Sequence, residues 1–481
     1  METGTNSGPE LLISLDRGAR APLRAQLEDG LREAVRSGRL APHSRLPTTR
    51  ALAGDLGVSR RLVVDAYAQL LAEGYLSARR GSGTFVAAAA SGAPASEPGP
   101  EPAALQFDFF PGNPDLSLFP RRAWLRAVRE AMRAMPDRAL GYPDPRGALP
   151  LRHALAEHLR RVRGVVAEPE AIVICSGAAQ AFALMAQVLD GGRVAVEDPG
   201  LPVHRAMLSA NGAEVVGMPV DEQGACVGEL ERLGADAPIV AALVTPAHQS
   251  PTGVALAPAR RSELLAWGAE GDRVLIEDDY DAEFRYDRAP LAAMQGLAPD
   301  RVVYTGTISK TLAPALRIGW LVLPARLVER VAERKLLADH GSSTLDQLAL
   351  AWLLESGAYD SHLRAARRRY RARRDALVRG VAAYLPGATV EGVAAGLHAI
   401  VRLPAPVPGL AVARAAAARS VGVYPVGYGY IDVRPVDDRF VLGYANLAEP
   451  AIEEGMRRFA EALEEAAGGP AETNEAGAIA R

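Results

Sequence analysis

Lysine is almost missing from this chain. Of its 54 basic residues only Lys310 and Lys335 are lysines, the other 52 being arginines. A chain biased that far keeps lysine where it is neutral or where only a primary amine serves. Cysteine is equally scarce, and Cys175 and Cys226 are too few for a disulfide framework or a zinc ribbon. No stretch approaches the roughly 20 consecutive apolar residues of a membrane span. The opening METGTNSGPE has no basic-then-apolar leader. Metal-ligand spacing is lacking too, because His153 and His158 stand five apart and the other six histidines are scattered, so no metal is expected. No internal repeat occurs. What is present, 49% hydrophobic and 23% charged residues, is ordinary globular composition and excludes a mainly disordered chain. The expectation is a cytoplasmic protein with no membrane partner.

At roughly 100–200 residues per domain, 481 residues imply two or more domains. Charge divides them. Residues 11–86 carry a net +5, whereas the whole chain is −3, which leaves −8 for the rest. A basic block on an acidic body points to a separate module with an anionic partner. The stretch AAAASGAPASEPGPEPAAL (87–105) holds hardly any bulky apolar residue and reads as a flexible linker. A large region spans 106–466, and a polar tail, 467–481, reads as disordered. In the large region the short runs AIVICSG, RVAVEDPG, AEVVGMPV, PIVAALVTP, DRVLIEDDY, RVVYTGTISK and RIGWLVLP alternate with helical stretches. Near-continuous apolar runs suit strands buried on both faces, so the fold class is α/β with a mainly parallel sheet. Ligands in such folds sit beyond the carboxyl ends of the strands, where SG, EDPG, EDDY and GTISK fall.

In the basic module, Thr49 to Leu56 can form a short helix, Gly57 the turn, and Ser59 the N-cap of a second helix. Val63, Ala66, Tyr67 and Leu70 give that helix one apolar stripe, and Arg60 and Arg61 in its first turn point elsewhere. A recognition helix presents its first turn to base edges, and arginine can grip guanine in a bidentate way. SARRGSGTFVA follows as a basic glycine hairpin. A helical adaptor with a solvated arginine face is the alternative. The complete order (a helix, GRL, RLPTTRALA, GVSRRLVVDAY, EGY, RRGSGTFV) closely resembles the GntR-type winged helix-turn-helix. That resemblance implies contacts to double-stranded operator DNA from Arg50, Ser59, Arg60, Arg61, Arg80, Gly81 and Gly83. Val64 stands where relatives in other branches carry arginine.

The motif GTISKTLAPALRIGW sets Lys310 beside Ser309, three residues after Thr307 and seven before Arg317. A Schiff base needs a primary amine, which arginine cannot supply. Hydroxyls and an arginine suit a phosphate dianion. LIEDDYDAEF places acids at a strand end, where one can keep a pyridinium nitrogen protonated. SGAAQAF lies at a strand-to-helix turn, whose free N–H groups cradle phosphate. Lysine, carboxylate and cradle together describe pyridoxal 5'-phosphate (PLP).

With FFPGNPDLSLFPRRAW, LGYPDPRGALPLRHALAEHL, VEDPG, TPAHQSPTG and IEDDYDAEFRY added, the large region resembles a fold-type I aminotransferase. A winged helix ahead of such a domain is the arrangement of the MocR subfamily of GntR regulators. The resemblance implies that Lys310 is the internal aldimine lysine, that Asp278 pairs with the pyridine nitrogen and that Tyr280 contacts the ring oxygen. It gives the phosphate to Gly177, Ala178, Thr307, Ser309 and Arg317, with Tyr142 reaching it from the partner subunit of a homodimer. Three positions depart from the pattern: Leu201 replaces a stacking aromatic, Ser250 the asparagine of the NPTG motif, and Val441 the arginine that clamps a substrate carboxylate. His204 could supply the missing ring face, and Arg434 or Arg439 the missing clamp. The implied function is a PLP-dependent transcriptional regulator that senses PLP or an amine, with at most slow transamination. An active aminotransferase is the alternative, and a domain that has lost its cofactor and only dimerises is a third reading.

Overall fold

A computed structural model of the chain describes residues 13–79, 82–87, 105–281, 283–286 and 291–468. These fall into two compact units divided near residue 103. The expected linker beyond Ala87, the expected tail from 469, and Arg80 and Gly81 lie outside the described residues.

The first unit holds helices α1 (Leu23–Arg36), α2 (Thr49–Asp55) and α3 (Arg60–Ala72) and a hairpin of β1 (Leu76–Arg79) and β2 (Gly83–Val86). Thr48 Oγ1 accepts the Ala51 N–H, and Ser59 Oγ the Leu62 N–H, at 3.2 Å each, so both later helices start on side-chain caps. The stripe Val63, Ala66, Tyr67 and Leu70 is buried against Leu27, Leu31 and Val35 of α1 and against Leu76 and Val86. Each large aliphatic side chain so buried contributes roughly 1.5–3 kcal/mol. That exceeds the few tenths by which the β-branched Val63 and Val64 disfavour helix, so packing holds α3.

The second unit is built on an eight-stranded sheet. Its strands, after a β3 (Phe107–Asp108) that lies outside this sheet, are β4 (Ile172–Cys175), β5 (Arg193–Asp198), β6 (Glu214–Asp221), β7 (Gly224–Ala225), β8 (Ile239–Val244), β9 (Val274–Asp279), β10 (Val302–Thr307) and β11 (Gly319–Val322). They lie in the order β4-β11-β10-β9-β8-β5-β6-β7. The five central strands, β10 to β6, run parallel. β11 runs against both β10 and β4. The connection from β10 to β11, residues 308–318, is shorter than the dozen or so residues a parallel crossover needs. That connection carries Lys310.

A second, antiparallel sheet stands near the C-terminus. Its strands are β12 (Thr389–Glu391), β13 (His398–Pro408), β15 (Tyr424–Pro425) and β16 (Val436–Gly443), in the order β12-β13-β16-β15. A further two-residue strand, β14 (Val421–Gly422), pairs in parallel with β3, at the entrance to this unit. Asp108 is fixed there twice: Tyr424 donates to its carboxylate at 2.6 Å, and Asn446 to its carbonyl at 2.9 Å. Among the described residues no helix is long and apolar enough to cross a membrane.

Candidate functional site

In the first unit, Arg50, Ser59, Arg60 and Arg61 are all exposed. Arg60 reaches only Thr49, at 3.5 Å. Arg61 has a 91% exposed side chain and a loose ion pair to Asp65 at 3.9 Å, too weak to hold it. Val64 is 42% exposed on the same helix. Gly83 opens β2, and its backbone lies against the Arg45 guanidinium. Arg79 stacks over Phe85 at 5.2 Å. Arg45 and Arg79 therefore flank the hairpin as two further cations. The sequence reading passed over them because they sit outside the helix-turn-helix spacing.

In the second unit the carboxyl ends of β4, β9 and β10 converge as the strand reading required. Gly177, with φ +81°, ends the β4 turn and caps the helix Ala178–Val188. A Cβ on Gly177 would stand 2.9 Å from the Arg317 guanidinium, so only glycine leaves that space open. Arg317 donates to the Ser176 carbonyl at 2.5 Å. Thr307 and Ser309 face each other at 2.9 Å across the start of the lysine loop. Two hydroxyls, a guanidinium and the unbonded N–H groups of a helix start suit a phosphate. Lys335, the second lysine, is fully buried and donates to Asp339 at 2.7 Å, Ser342 at 3.0 Å and Gln180 at 3.1 Å. The same Gln180 oxygen accepts the Ser176 N–H at 2.8 Å, so Lys335 braces the turn from below.

Lys310 Nζ donates to the Gly112 carbonyl at 2.8 Å. Burial pushes its ammonium below the ordinary lysine value, against the pull of Asp281 and Asp278. Asp278 is 2% exposed, and among the described residues neither carboxylate oxygen has a hydrogen-bond partner. Burial, then Asp279, Asp281 and Glu197, drive that carboxyl well above the usual range. A buried carboxylate without a partner is costly, and a cation held against it, such as a protonated ring nitrogen, removes the cost. The neighbouring Asp279 points to the other face of β9, where Arg163 donates to it at 2.6 Å and Tyr304 at 2.5 Å. The buried Tyr280 lies 3.1 Å from His248 Nδ1, which also meets Asp281 at 2.9 Å. His398 stacks beside His248, ring centroids 5.0 Å apart. Read along the chain these histidines are scattered; the fold brings two of them and Asp281 into one buried group with ligand atoms within 4.8 Å. Tyr142 is 93% exposed, with the His340 ring beside it, centroids 5.9 Å apart.

Leu201 lines a cavity with Glu197, His204, Arg205, Thr245 and Ser250. His204 packs on Phe182 at 4.6 Å, and burial, then Lys310 and Arg205, lower its pKa to about 4, so it is neutral. Glu197 accepts from Thr245 and Gln249, and burial raises it to about 7. Glu197 and Arg205 belong to this cavity and were not singled out in the sequence, where Glu197 reads as part of the EDPG strand end and Arg205 as one more charge on a helix. Val441 is buried with Ile400, Val426 and Tyr430. The two arginines considered as its substitute are engaged at Tyr430: Arg434 lies 3.7 Å over its ring, and Arg439 donates to its hydroxyl at 2.8 Å while paired with Asp437.

Comparison with known proteins accords with both halves. Residues 112–459 match the model of aminotransferase class I and II, and residues 23–86 that of the bacterial regulatory proteins of the gntR family. The probable rhizopine catabolism regulatory protein MocR of Rhizobium meliloti is 34% identical over 481 aligned residues, covering 94% of this chain and 96% of that one. The pyridoxine biosynthesis transcriptional regulator PdxR of Corynebacterium glutamicum is 33% identical, covering 94% and 99%. Among solved structures, kynurenine aminotransferase of Pyrococcus horikoshii, in complex with PMP, superposes with a TM-score of 0.69 at 27% identity. That match covers 75% of this chain and 91% of that one.

Proposed function

This chain is a member of the MocR-type branch of the GntR transcriptional regulators, its larger part an aminotransferase class I and II domain, and from that premise we propose a regulator whose second unit binds PLP and answers to PLP itself or to an amine or amino acid. The observation that carries the cofactor reading is Asp278, a buried carboxylate with both oxygens unpartnered, in the same cleft as Lys310. PLP would supply a carbonyl for amine capture and an electron-withdrawing ring. The chain's own residues do the rest. Lys310 is the attachment point, and its lowered pKa leaves more of it as the free, nucleophilic amine. Asp278 holds the ring nitrogen and Tyr280 the ring oxygen. Gly177, Ala178, Thr307, Ser309 and Arg317 hold the phosphate, and in a homodimer the partner subunit's Tyr142 completes it. Neutral His204 offers the ring face that Leu201 lacks.

Arg50, Ser59, Arg60 and Arg61, with Arg80, Gly81 and Gly83 of the hairpin, contact operator DNA in this reading, and Arg45 and Arg79 join them. An amine taken up in the cleft would compete with Lys310 for the attachment, and a lysine amine so released would lie among Asp281, Asp278 and His204. A difference in stability between two arrangements of the second unit then carries the signal. Borohydride reduction of PLP-treated protein, followed by peptide mapping, tests the reading. The pyridoxyl group is expected on Lys310, and Lys310→Ala should abolish it with the circular dichroism unchanged. A label on Lys335, or none, refutes the assignment.

A further inference from the structure

The group formed by His248, Asp281 and Tyr280 has no part in attachment or phosphate binding, yet it is buried as deeply as Asp278. His248 is 3% exposed, Asp281 1% and Tyr280 8%. One imidazole nitrogen, His248 Nδ1, is within hydrogen-bond distance of two oxygens: the Asp281 carboxylate at 2.9 Å and the Tyr280 hydroxyl at 3.1 Å. A nitrogen of this kind carries one proton or one lone pair, never both. The other nitrogen, His248 Nε2, is buried with no hydrogen-bond partner among the described residues. Gly396, with φ +82°, keeps the other side of the ring open, since a Cβ there would come within 2.5 Å of Nδ1. Its carbonyl is pinned by the hydroxyls of Tyr286 at 2.7 Å and Tyr444 at 2.9 Å.

We propose that His248, oriented by Asp281, is a positioning residue that fixes the direction in which the Tyr280 hydroxyl gives its proton. The carboxylate has no hydrogen to offer, so the 2.9 Å contact requires the proton on Nδ1. Tyr280 then faces an N–H rather than a lone pair. Its oxygen can accept there, but its own proton has to point away from Nδ1, toward the cleft or the neighbouring Asp281 carboxylate. The Ser250 hydroxyl donates to the phenol oxygen, so the acceptor on the cleft side is, on the reading given above, the ring oxygen of the cofactor, which would draw the proton away from Asp281. A phenol prepared as a donor stabilises a deprotonated ring oxygen. That favours the visible-absorbing form of the lysine-bound cofactor over the near-ultraviolet form in which the oxygen keeps its proton. His398 enters as support: burial, then His248, lower its pKa to about 3, and its Nε2 meets the Pro251 carbonyl at 3.2 Å. It is neutral and adds no competing charge.

Asp281→Asn is the informative substitution, because without the carboxylate nothing demands the proton on Nδ1 and it can move to Nε2. The single Nδ1 lone pair is then open to the Tyr280 hydroxyl, which can donate backward to His248. With wild-type protein loaded and mapped to Lys310, Asp281→Asn and His248→Gln should each shift absorbance from the visible to the near-ultraviolet band. Each should also weaken PLP binding by about tenfold, the scale of one hydrogen bond to a charged group. In a Tyr280→Phe background His248→Gln should cause no further spectral change, since the residue acts through the phenol. A purely structural role would lower the melting temperature alike in both backgrounds and leave the band ratio alone, which overturns the proposal. Should the variants fail to fold, the imidazole tautomer of wild-type protein decides, by NMR of isotope-labelled histidine: a proton on His248 Nδ1 upholds it, and one on Nε2 overturns it. Metal analysis runs in parallel, because His248, Asp281 and His398 also have ligand atoms within 4.8 Å. A stoichiometric divalent ion lost on Asp281→Asn would overturn it as well. Wild-type protein that takes up no PLP sinks the cofactor reading and this inference together, whereas loaded protein with an unmoved spectrum sinks the inference alone.

Discussion

Two lysines survive among 52 arginines, and they do unlike work. Lys310 lies in the cleft with its amine on a single carbonyl, ready to be released. Lys335 holds three acceptors around one nitrogen, a geometry that a planar guanidinium does not reproduce. Replacing Lys335 by methionine leaves Asp339 without its cation; its side chain is 24% exposed, so the loss falls short of the roughly 3–5 kcal/mol of a fully buried pair. We expect the unfolding free energy from urea titration to drop by about 1–3 kcal/mol and PLP uptake to weaken, since the Ser176 turn loses its brace. Lys335→Met protein of undiminished stability would show the brace to be idle. Asp278→Asn should raise the PLP dissociation constant about 10- to 100-fold, from the loss of one charge-assisted hydrogen bond; spectral titration measures it, and an unchanged constant would separate Asp278 from the ring nitrogen. Ser59 is both a helix cap and a proposed DNA contact. Aspartate keeps the cap and adds a negative charge, so Ser59→Asp should melt like wild type yet bind operator far more weakly. Unimpaired operator binding by that variant would leave Ser59 with the cap alone.

At the scale of elements, what could be read in the sequence depended on how each element is stabilised. Seven of the eight strands of the large sheet were visible as apolar runs, the two-residue β7 being the exception; apart from the half-exposed β6 they are largely buried on both faces, even where β9 ends in Glu277, Asp278 and Asp279. α3 was visible because its stripe and its cap are local. The C-terminal sheet was not recognised as a separate layer. β12 and β15 have three and two residues, and β13 contains LPAPVP with a register shift between Arg402 and Val407. Proline and two-residue pairings carry no period that a sequence pattern can show. The cleft was legible where its residues share one motif, as Thr307, Ser309, Lys310 and Arg317 do. It was illegible where tertiary contact alone joins them, as with His248 and His398. The recognition helix also permits a prediction. Arg60→Ala should cost roughly 1–3 kcal/mol on operator DNA and less on random DNA if it reads a base, as binding at two salt concentrations would reveal; equal losses would make it a phosphate contact.

For the whole molecule, burial of carboxyls without counter-ions has a thermodynamic signature. Glu197 and Glu277 are both raised to about 7, burial being the main cause for each. A carboxyl with a folded pKa above its unfolded value stabilises the protein fully below the unfolded value, near 4.5, and that contribution is lost as pH rises through about 7. The buried His204 and His398, lowered to about 4 and about 3, act in the opposite sense, so the Glu197 contribution is read against its own variant: between pH about 5 and about 8 the melting temperature of cofactor-free wild-type protein should fall relative to that of Glu197→Gln. A difference between the two that stays constant over this range would contradict the burial argument. Turnover is a second property of the assembled cleft. Val441 leaves no clamp on a substrate carboxylate, and catalysis needs contacts stronger in the transition state than in the ground state. Keto-acid release from amino acids should be far slower than in ordinary aminotransferases, and repeated rapid turnover would reinstate the enzyme reading.

The pairing of β3 with β14 bears on how anything that happens in the cleft is felt elsewhere. The polypeptide enters the second unit at Phe107 and is at once stitched to Val421–Gly422, Tyr424 and Asn446. The first described residues of the second unit are thus moored to the C-terminal layer, while Gly112, a few positions on, accepts from Lys310 in the cleft. The segment 107–112 therefore joins that layer to the lysine loop. If residues 87–105 are the expected linker, shortening them should register as a change in PLP uptake by a domain whose cleft had not been touched.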